Sequence, residues 1–322
     1  MLSSSMDTIV REALHQDEPA LLNLFADSFG HAMPVPLWRW KYHQPSSHAT
    51  LVQSGNDMVA FYGGVVRTVL RFGKTATAVQ IGDVMVAPAW RGKLTHRGPF
   101  FEAATGFISR WMQAQREYDF AFGFPSERAC RLGVALKLYQ PMDRIVEVQW
   151  PSTGAGLSLL QTVRPLTSND YNAVNQLWQC MAQDLLRQVV GVRDAHYVQQ
   201  RYVKHPTHQY QLMLVSRRMG GQALGVLVVR NHADHGLELM DLIAPLNNLP
   251  ILVAAARRYA LKMGLNRVFA WATPLVARSI AEPDGQVQNT EVVVPTIVWQ
   301  QPESVAQLKD RWWLMGGDAD FR

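Results

Sequence analysis

Apolar residues recur along this chain with two different periods. Leu21, Leu24, Phe25 and Phe29 fall at the three-to-four spacing of a helix stripe. Phe101, Ala104, Phe107, Ile108, Trp111 and Met112 repeat that spacing and predict a helix over 99–115, with Pro99 suited to its first turn. Between the two stripes, residues 49–53, 58–72 and 76–86 are rich in β-branched and aromatic residues and predict an antiparallel meander, with Phe72, Gly73 and Lys74 as one turn. A short strand ending at Arg11 precedes the first helix. A buried strand (118–125), a helix opening at Ser126 and a last strand (145–150) follow. The order β-α-β-β-β-α-β-α-β describes a mixed α/β unit.

The unit occurs twice. "VREALHQDEPALLNLF" (10–25) parallels "VRPLTSNDYNAVNQLW" (163–178), matching Arg11 with Arg164, Asp17 with Asp170 and Leu24 with Leu177. "WKYHQP" (40–45) parallels "RYVKHP" (201–206), and "DVMVAP" (83–88) parallels "DLIAP" (241–245). "FAFGFP" (120–125) parallels "FAWATP" (269–274), and Trp150 parallels Trp299. Two domains are expected, residues 1–150 and 157–322, joined by the "PSTGAG" linker. The second copy is shorter between its second and third matched prolines. Asp17 and Asp170 sit near helix starts, where a carboxylate can cap exposed amides.

Hydrophobic residues make up 48% and charged residues 18% of the 322, a globular balance that excludes disorder. No apolar run reaches the roughly 18 residues a membrane span needs, and the N-terminus lacks a secretory pattern, so a cytoplasmic protein without membrane association is expected. Cys130 and Cys180 fall in different halves without metal-site spacing and are read as buried, inert thiols. The net charge of +5 favours an anionic partner, but no dense basic tract or nucleic-acid motif accompanies it.

The interval missing from copy two holds the densest candidate chemistry. In "VAPAWRGKLTHRG" (86–98) a strand delivers Arg91, Gly92, Lys93, Leu94, Thr95, His96, Arg97 and Gly98 to the start of a helix. Free backbone amides and positive side chains at a helix entrance suit a pyrophosphate. From charge alone a solvated surface loop remains the competing reading.

The element order together with "VAPAWRG" resembles the GNAT superfamily of CoA-dependent N-acyltransferases, in which a central strand ends in Val-x-Pro-x-x-Arg and leads into the pyrophosphate loop. The resemblance covers residues 8–150, and "GFPSERACRLGVALKLY" (123–139) is similar to that family's fifth strand and following helix. The tandem arrangement is similar to double-GNAT enzymes, with copy two resembling the fold only. The resemblance implies an acyl-CoA co-substrate, acetyl-CoA or another, no metal, and an amine acceptor that is a small molecule or a peptide. It implies that the backbone of Met85 and Val86 faces the pantetheine arm and the thioester oxygen. The sequence departs from the family at four positions. Leu94 and His96 stand where the loop carries glycine or alanine, which shifts the cradle onto Gly92 and Gly98. Gly133 stands where many members carry a tyrosine acid, and Gln80 where many carry a glutamate base.

An alkylamine with a pKa of about 10.4 is mostly protonated at pH 7, and exposing its lone pair costs about 4 to 5 kcal/mol, so a base or a water chain is required. Strict alternation on the central strand would put Gln80, Gly82, Val84 and Val86 on one side and Ile81, Asp83 and Met85 on the other. Asp83 is then the nearest carboxylate, although its counterpart Asp241 in the loopless copy also permits a purely structural role. Ser126 is a helix N-cap, a contact for the CoA arm, or both.

His205 with His208, and His232 with His235, have helical-turn spacing in segments that read as loop or strand, so no metal site is expected. Asp318 and Asp320 sit in a tail read as terminal packing, and Trp312 and Trp313 are expected to cover apolar surface, such as that between the halves. Three functions remain open: an N-acyltransferase, monomeric or homodimeric, with its acceptor cleft between the halves; a noncatalytic acyl-CoA binder or interaction protein on a degenerate scaffold; and aminoacyl-tRNA-dependent peptidyl transfer, for which no basic appendage is found.

Overall fold

The computed structural model describes residues 8–92, 98–154, 160–232, 235–299, 306–319 and 321–322. The chain divides into two compact units, one of residues 1–67, 76–142 and 293–306, the other of 68–75, 143–292 and 307–322. Residues 143–150, which the repeat assigns to the first half, group with unit two because they belong to a long strand whose 146–151 portion pairs in that unit.

Unit one is built from β1 (Thr8–Glu12), α1 (Glu18–Phe29), α2 (Val35–Tyr42), β2 (His48–Ser54), β3 (Asp57–Arg71), β4 (Lys74–Val86), α3 (Pro99–Phe107), β5 (Phe120–Gly123), α4 (Glu127–Ala135) and the start of β6 (Tyr139–Pro151). The sheet order is β1-β2-β3-β4-β5, with β1–β2 and β2–β3 antiparallel and β4–β5 parallel. The expected meander is present. Phe72 (φ 52°) and Gly73 (φ 77°) both take left-handed backbone in the β3–β4 turn, the pattern of a twisted two-residue hairpin.

Both faces of this sheet are covered, which explains the nearly continuous apolar runs in its strands. Leu51, Phe61 and Met85 join Leu21, Leu24, Phe25 and Trp38 on the α1/α2 side. Their neighbours Val52, Ala60 and Tyr62 join Phe107, Ile108 and Trp111 on the α3 side. Phe29, the last residue of the expected α1 stripe, is instead 46% exposed. The expected 99–115 helix is α3 followed by a π-helical segment, Ile108–Ala114. The sequence reading has no counterpart for α2, whose crowded aromatic and basic residues show no helical period.

Unit two contains β7 (Gln161–Pro165), α5 (Tyr171–Asp184), β8 (Val189–Gly191), α6 (Ala195–Val198) running into a π-helical turn (Gln199–Val203), β9 (Gln211–Arg217), β10 (Ala223–His232), β11 (Gly236–Ile243), α7 (Leu249–Lys262), β12 (Arg267–Ala272), α8 (Pro274–Ile280), β13 (Gln286–Ile297) and β14 (Trp312–Trp313). Its sheet runs β13-β6-β12-β11-β10-β9-β7, and β8 pairs with β14 and with residues 69–71 of β3.

The repeat is visible in matched polar contacts. Arg11 grips Asp17 with two hydrogen bonds of 2.7 and 2.8 Å, and Arg164 grips Asp170 with two of 2.7 and 2.6 Å. Each aspartate also accepts the amide three residues before it, Leu14 or Thr167, at 2.8 Å. The two carboxylates therefore close a 3-10 turn and anchor the preceding strand, where capping of the following helix had been expected.

Candidate functional site

The parallel pairing of β4 with β5 runs from Ala78↔Phe120 to Ile81↔Gly123 and ends there, while β4 continues to Val86. The chain then passes Pro88–Trp90 as a 3-10 turn and enters α3 at Gly98. Gly98 is the N-cap, Pro99 occupies the first turn, and no side chain among the described residues caps that end. Gly98 and Pro99 are both buried, and Pro99 has no amide hydrogen to donate. Gly92 has left-handed backbone (φ 91°), and a Cβ built there would meet nothing within 4 Å. Arg91 is committed to the backbone: its Nε donates to the Val86 carbonyl at 2.9 Å and its Nη2 to the Ser28 carbonyl at 3.0 Å. Lys93, Leu94, Thr95, His96 and Arg97 lie outside the described residues, as does Asp320.

Strict alternation along β4 does not hold. Asp83 adopts φ 48°, and this irregularity shifts the parity of the strand. Val79 and Ile81 face the α3 core before it and Val84 and Val86 face the same core after it, with Met85 in the α1/α2 core. Gln80, fully buried, accepts a hydrogen bond from Arg67 Nε at 2.9 Å and is a fixed amide rather than a proton acceptor.

Asp83 lies in a polar cluster that the sequence reading did not assemble. Its carboxylate forms an ion pair with the buried ammonium of Lys41 and accepts the Tyr42 hydroxyl at 2.7 Å, with its side chain 12% exposed. A neighbouring cation favours the ionised carboxylate. The matched segment of unit two does the same work: Tyr202 donates to Asp241 Oδ2 at 2.8 Å. The pairing of "WKYHQP" with "RYVKHP" was the available signal, since both segments deliver a polar side chain to the repeated aspartate.

The space that Gly133 leaves is occupied by another tyrosine. A Cβ at position 133 would lie 2.0 Å from Cδ2 of Tyr139, so only glycine permits this contact. The Tyr139 hydroxyl is 2.7 Å from that of Tyr62. Burial, the largest influence on each, pushes both phenols above their ordinary range and keeps them neutral. A phenol thus stands beside α4 after all, supplied by β6 six residues later. Ser126 caps α4, its Oγ accepting the Ala129 amide at 3.3 Å.

In unit two the corresponding strand end is filled by the chain's own tail. β11 and β12 pair only at Leu237↔Val268 and Glu238↔Phe269. Met315 bridges to Ala272, and Thr273 donates through Oγ1 to the Trp312 carbonyl at 2.6 Å. The buried Arg193 guanidinium ties this segment down, donating to Asp241 at 2.9 Å and to Asp318 at 2.6 Å. Gly317 packs so closely that a Cβ would lie 2.0 Å from the Tyr202 hydroxyl. Trp312 and Trp313 are buried in unit two as β14, and Asp318 is a structural anion, consistent with terminal packing.

Of the remaining candidates, Cys130 is buried but Cys180 is exposed, which corrects the expectation of two buried thiols. Cys180 lies on the outward face of α5, whose buried stripe is Val174, Leu177, Trp178 and Met181. His205 stacks on His208, while His232 pairs with Glu238 at 2.6 Å. Among the described residues no group of three or more His, Cys, Asp or Glu is placed to hold a metal ion, and no helix is long and apolar enough to cross a membrane.

No protein-family model and no curated protein matches this sequence. Solved structures do match its shape. A conserved Enterococcus faecalis protein, described as a probable N-acyltransferase, superposes with a TM-score of 0.68 at 11% identity, over 94% of this chain and 74% of its own. A GCN5-related N-acetyltransferase from Kribbella flavida gives 0.64 at 15% identity, over 90% and 70% of the two chains. Saccharomyces cerevisiae N-myristoyltransferase, solved with bound myristoyl-CoA, gives 0.56 at 10% identity, over 92% and 80%. The fold is that of the GNAT superfamily.

Proposed function

We propose that the chain is an acyl-CoA-dependent N-acyltransferase whose chemistry resides in the first of two GNAT-like copies, residues 1–150, while 157–322 form a scaffold copy. The observation that carries this reading is the contrast between the two strand ends. In unit one β4 outruns β5, and the basic sequence 91–98 precedes a helix whose N-terminus has no side-chain cap among the described residues; in unit two the tail fills the counterpart strand end. Of the fold neighbours described above, one is called a probable N-acyltransferase and two are named GCN5-related N-acetyltransferase and N-myristoyltransferase.

The first-turn amides of α3, with Gly92, Gly98 and the side chains of Lys93, Thr95, His96 and Arg97, would hold the diphosphate of an acyl-CoA. Leu94, without a polar side chain, would contribute through its amide. The β4 backbone at Met85 and Val86 would orient the thioester, which supplies the activated acyl group. Arg91 shapes the loop through its bonds to backbone carbonyls. Ser126 both caps α4 and borders the CoA arm.

Asp83 is the carboxylate that meets the acceptor amine. Paired with Lys41, it accepts a hydrogen bond from the incoming neutral amine; as the C–N bond forms and the thioester C–S bond breaks, coenzyme A leaves as its thiolate, and water carries the proton lost by the new ammonium to that thiolate. Tyr42 holds its orientation. The acceptor is a small-molecule or peptide amine.

Calorimetric titration with acetyl-, butyryl- and myristoyl-CoA tests the cradle, and thiol release with a panel of amines then separates an enzyme from a binder. Arg97→Ala and Lys93→Ala should each weaken binding about fivefold, the value of roughly 1 kcal/mol for an exposed charge contact. Asp83→Asn should retain binding and lose turnover. Absence of heat and of thiol release with all three thioesters refutes the assignment.

A further inference from the structure

Unit two has a recess of its own, of about 830 Å³, between its sheet edge and α7. That volume is in the range that encloses a small molecule. Val163 of β7 and Met213 of β9, which share a sheet face in the β7–β9 register, supply an apolar floor. From α7 come Ala255, Arg258, Tyr259 and Lys262, the three-and-four spacing that puts all four on one helix face. Ala255 has almost no side chain, which leaves the space open.

Charge selects the occupant. Among the described residues no acidic side chain lines the recess. Arg164 also lines it but is already satisfied by Asp170 at 2.6 and 2.7 Å. Arg258 is half-buried, and its hydrogen bond goes to the neutral amide oxygen of Gln161 at 3.0 Å, so it has no carboxylate partner among the described residues. Burial pushes its pKa down, as expected of a desolvated cation without a counter-ion. Lys262 follows one turn later. The negative end of the α7 dipole suits Lys262 without any ligand, but it does not explain a desolvated Arg258 a full turn earlier beside apolar and aromatic walls.

We propose that this recess binds an amphiphilic monocarboxylate. Its carboxylate lies between Arg258 and Lys262, and its apolar body lies along Val163, Met213 and the Tyr259 ring. The site is independent of the acyl-CoA reading, since all of its lining residues belong to unit two.

The test titrates the full-length chain with decanoate and, in a parallel arm, with decanol, which has the same chain without the charge. Isotope-labelled ligand followed by NMR reports binding directly. Decanoate should bind saturably and about tenfold or more tighter than decanol. Arg258→Gln should weaken decanoate about tenfold and leave decanol unchanged, as loss of one charge-assisted contact requires. Lys262→Gln, an exposed change that keeps the fold intact even if Arg258→Gln does not, should weaken decanoate about threefold or more. Equal binding of decanoate and decanol, or parental decanoate affinity in Lys262→Gln, overturns the proposal. Acetyl-CoA affinity should be the same in both variants and the parent, which separates failure of this site from failure of the acyl-CoA cradle.

Discussion

Replacing Asp318 by alanine tests whether the tail is integral to unit two. Arg193 is completely buried and holds three acceptors: Asp241 at 2.9 Å, Asp318 at 2.6 Å and the Gly191 carbonyl at 2.7 Å. Asp318 is 7% exposed and also accepts the Met315 amide at 2.8 Å, so water does not screen its contacts. Removing one partner of a buried ion pair costs about 3 to 5 kcal/mol. Asp241 remains beside Arg193, which places the expected loss at the lower end, about 3 kcal/mol. With a urea slope of about 2 kcal/mol per molar, the unfolding midpoint should fall by about 1.5 M. Asp318→Asn keeps an acceptor for the Met315 amide and should lose roughly half as much. Urea titration followed by far-ultraviolet circular dichroism and tryptophan fluorescence reads both variants. A midpoint shift below about 0.3 M for the alanine variant would refute the argument that Arg193 fastens the tail to β11.

Two further tests concern single positions. Asp143 is pushed from 3.8 to about 6, first by burial and further by Asp310, and its Oδ2 has no hydrogen-bond partner among the described residues. The folded state therefore binds a proton that the unfolded state lacks between about pH 4 and 6, so this residue's destabilising effect is absent below pH 4 and complete above pH 6. Asp143→Asn should raise stability by about 1 to 3 kcal/mol at pH 7 and leave it unchanged at pH 4; equal effects at both pH values in thermal melts would contradict this. Gly133→Ala should destabilise by about 1 to 3 kcal/mol, because its Cβ would force the Tyr139 ring aside, and a melting temperature equal to the parent's would show that the ring yields freely.

How far the sequence carried the fold depends on the range of the interactions involved. The α3 stripe and the 58–86 meander were legible because a periodic apolar pattern states which face a segment buries. The π-helical continuation at Ile108–Ala114 was not, since an α- and a π-turn bury nearly the same residues. The parity of β4 was misread because one left-handed residue, Asp83, inverts every side chain after it, and aspartate is not a reliable marker of that conformation. Of the proposed site, the sequence offers the basic residues before α3 and Asp83 as candidates. The contacts of Lys41 and Tyr42 with Asp83, and of Tyr139 with Tyr62, were invisible because each joins separate elements, α2 to β4 and β6 to β3.

The sequence by itself determined that one mixed α/β unit is used twice, that the copies differ at the basic loop, and that Asp17 and Asp83 have counterparts in Asp170 and Asp241. These are matters of order and local pattern, which a linear chain records. Tertiary structure alone decided what each aspartate holds: Lys41 and Tyr42 on Asp83, Arg193 and Tyr202 on Asp241. It also decided that Tyr139 fills the space left by Gly133, and that residues 312–318 occupy the strand end of unit two. Those outcomes depend on which side chains compete for the same buried volume and the same counter-charge, a competition between residues far apart in the chain that exists only once the chain is packed.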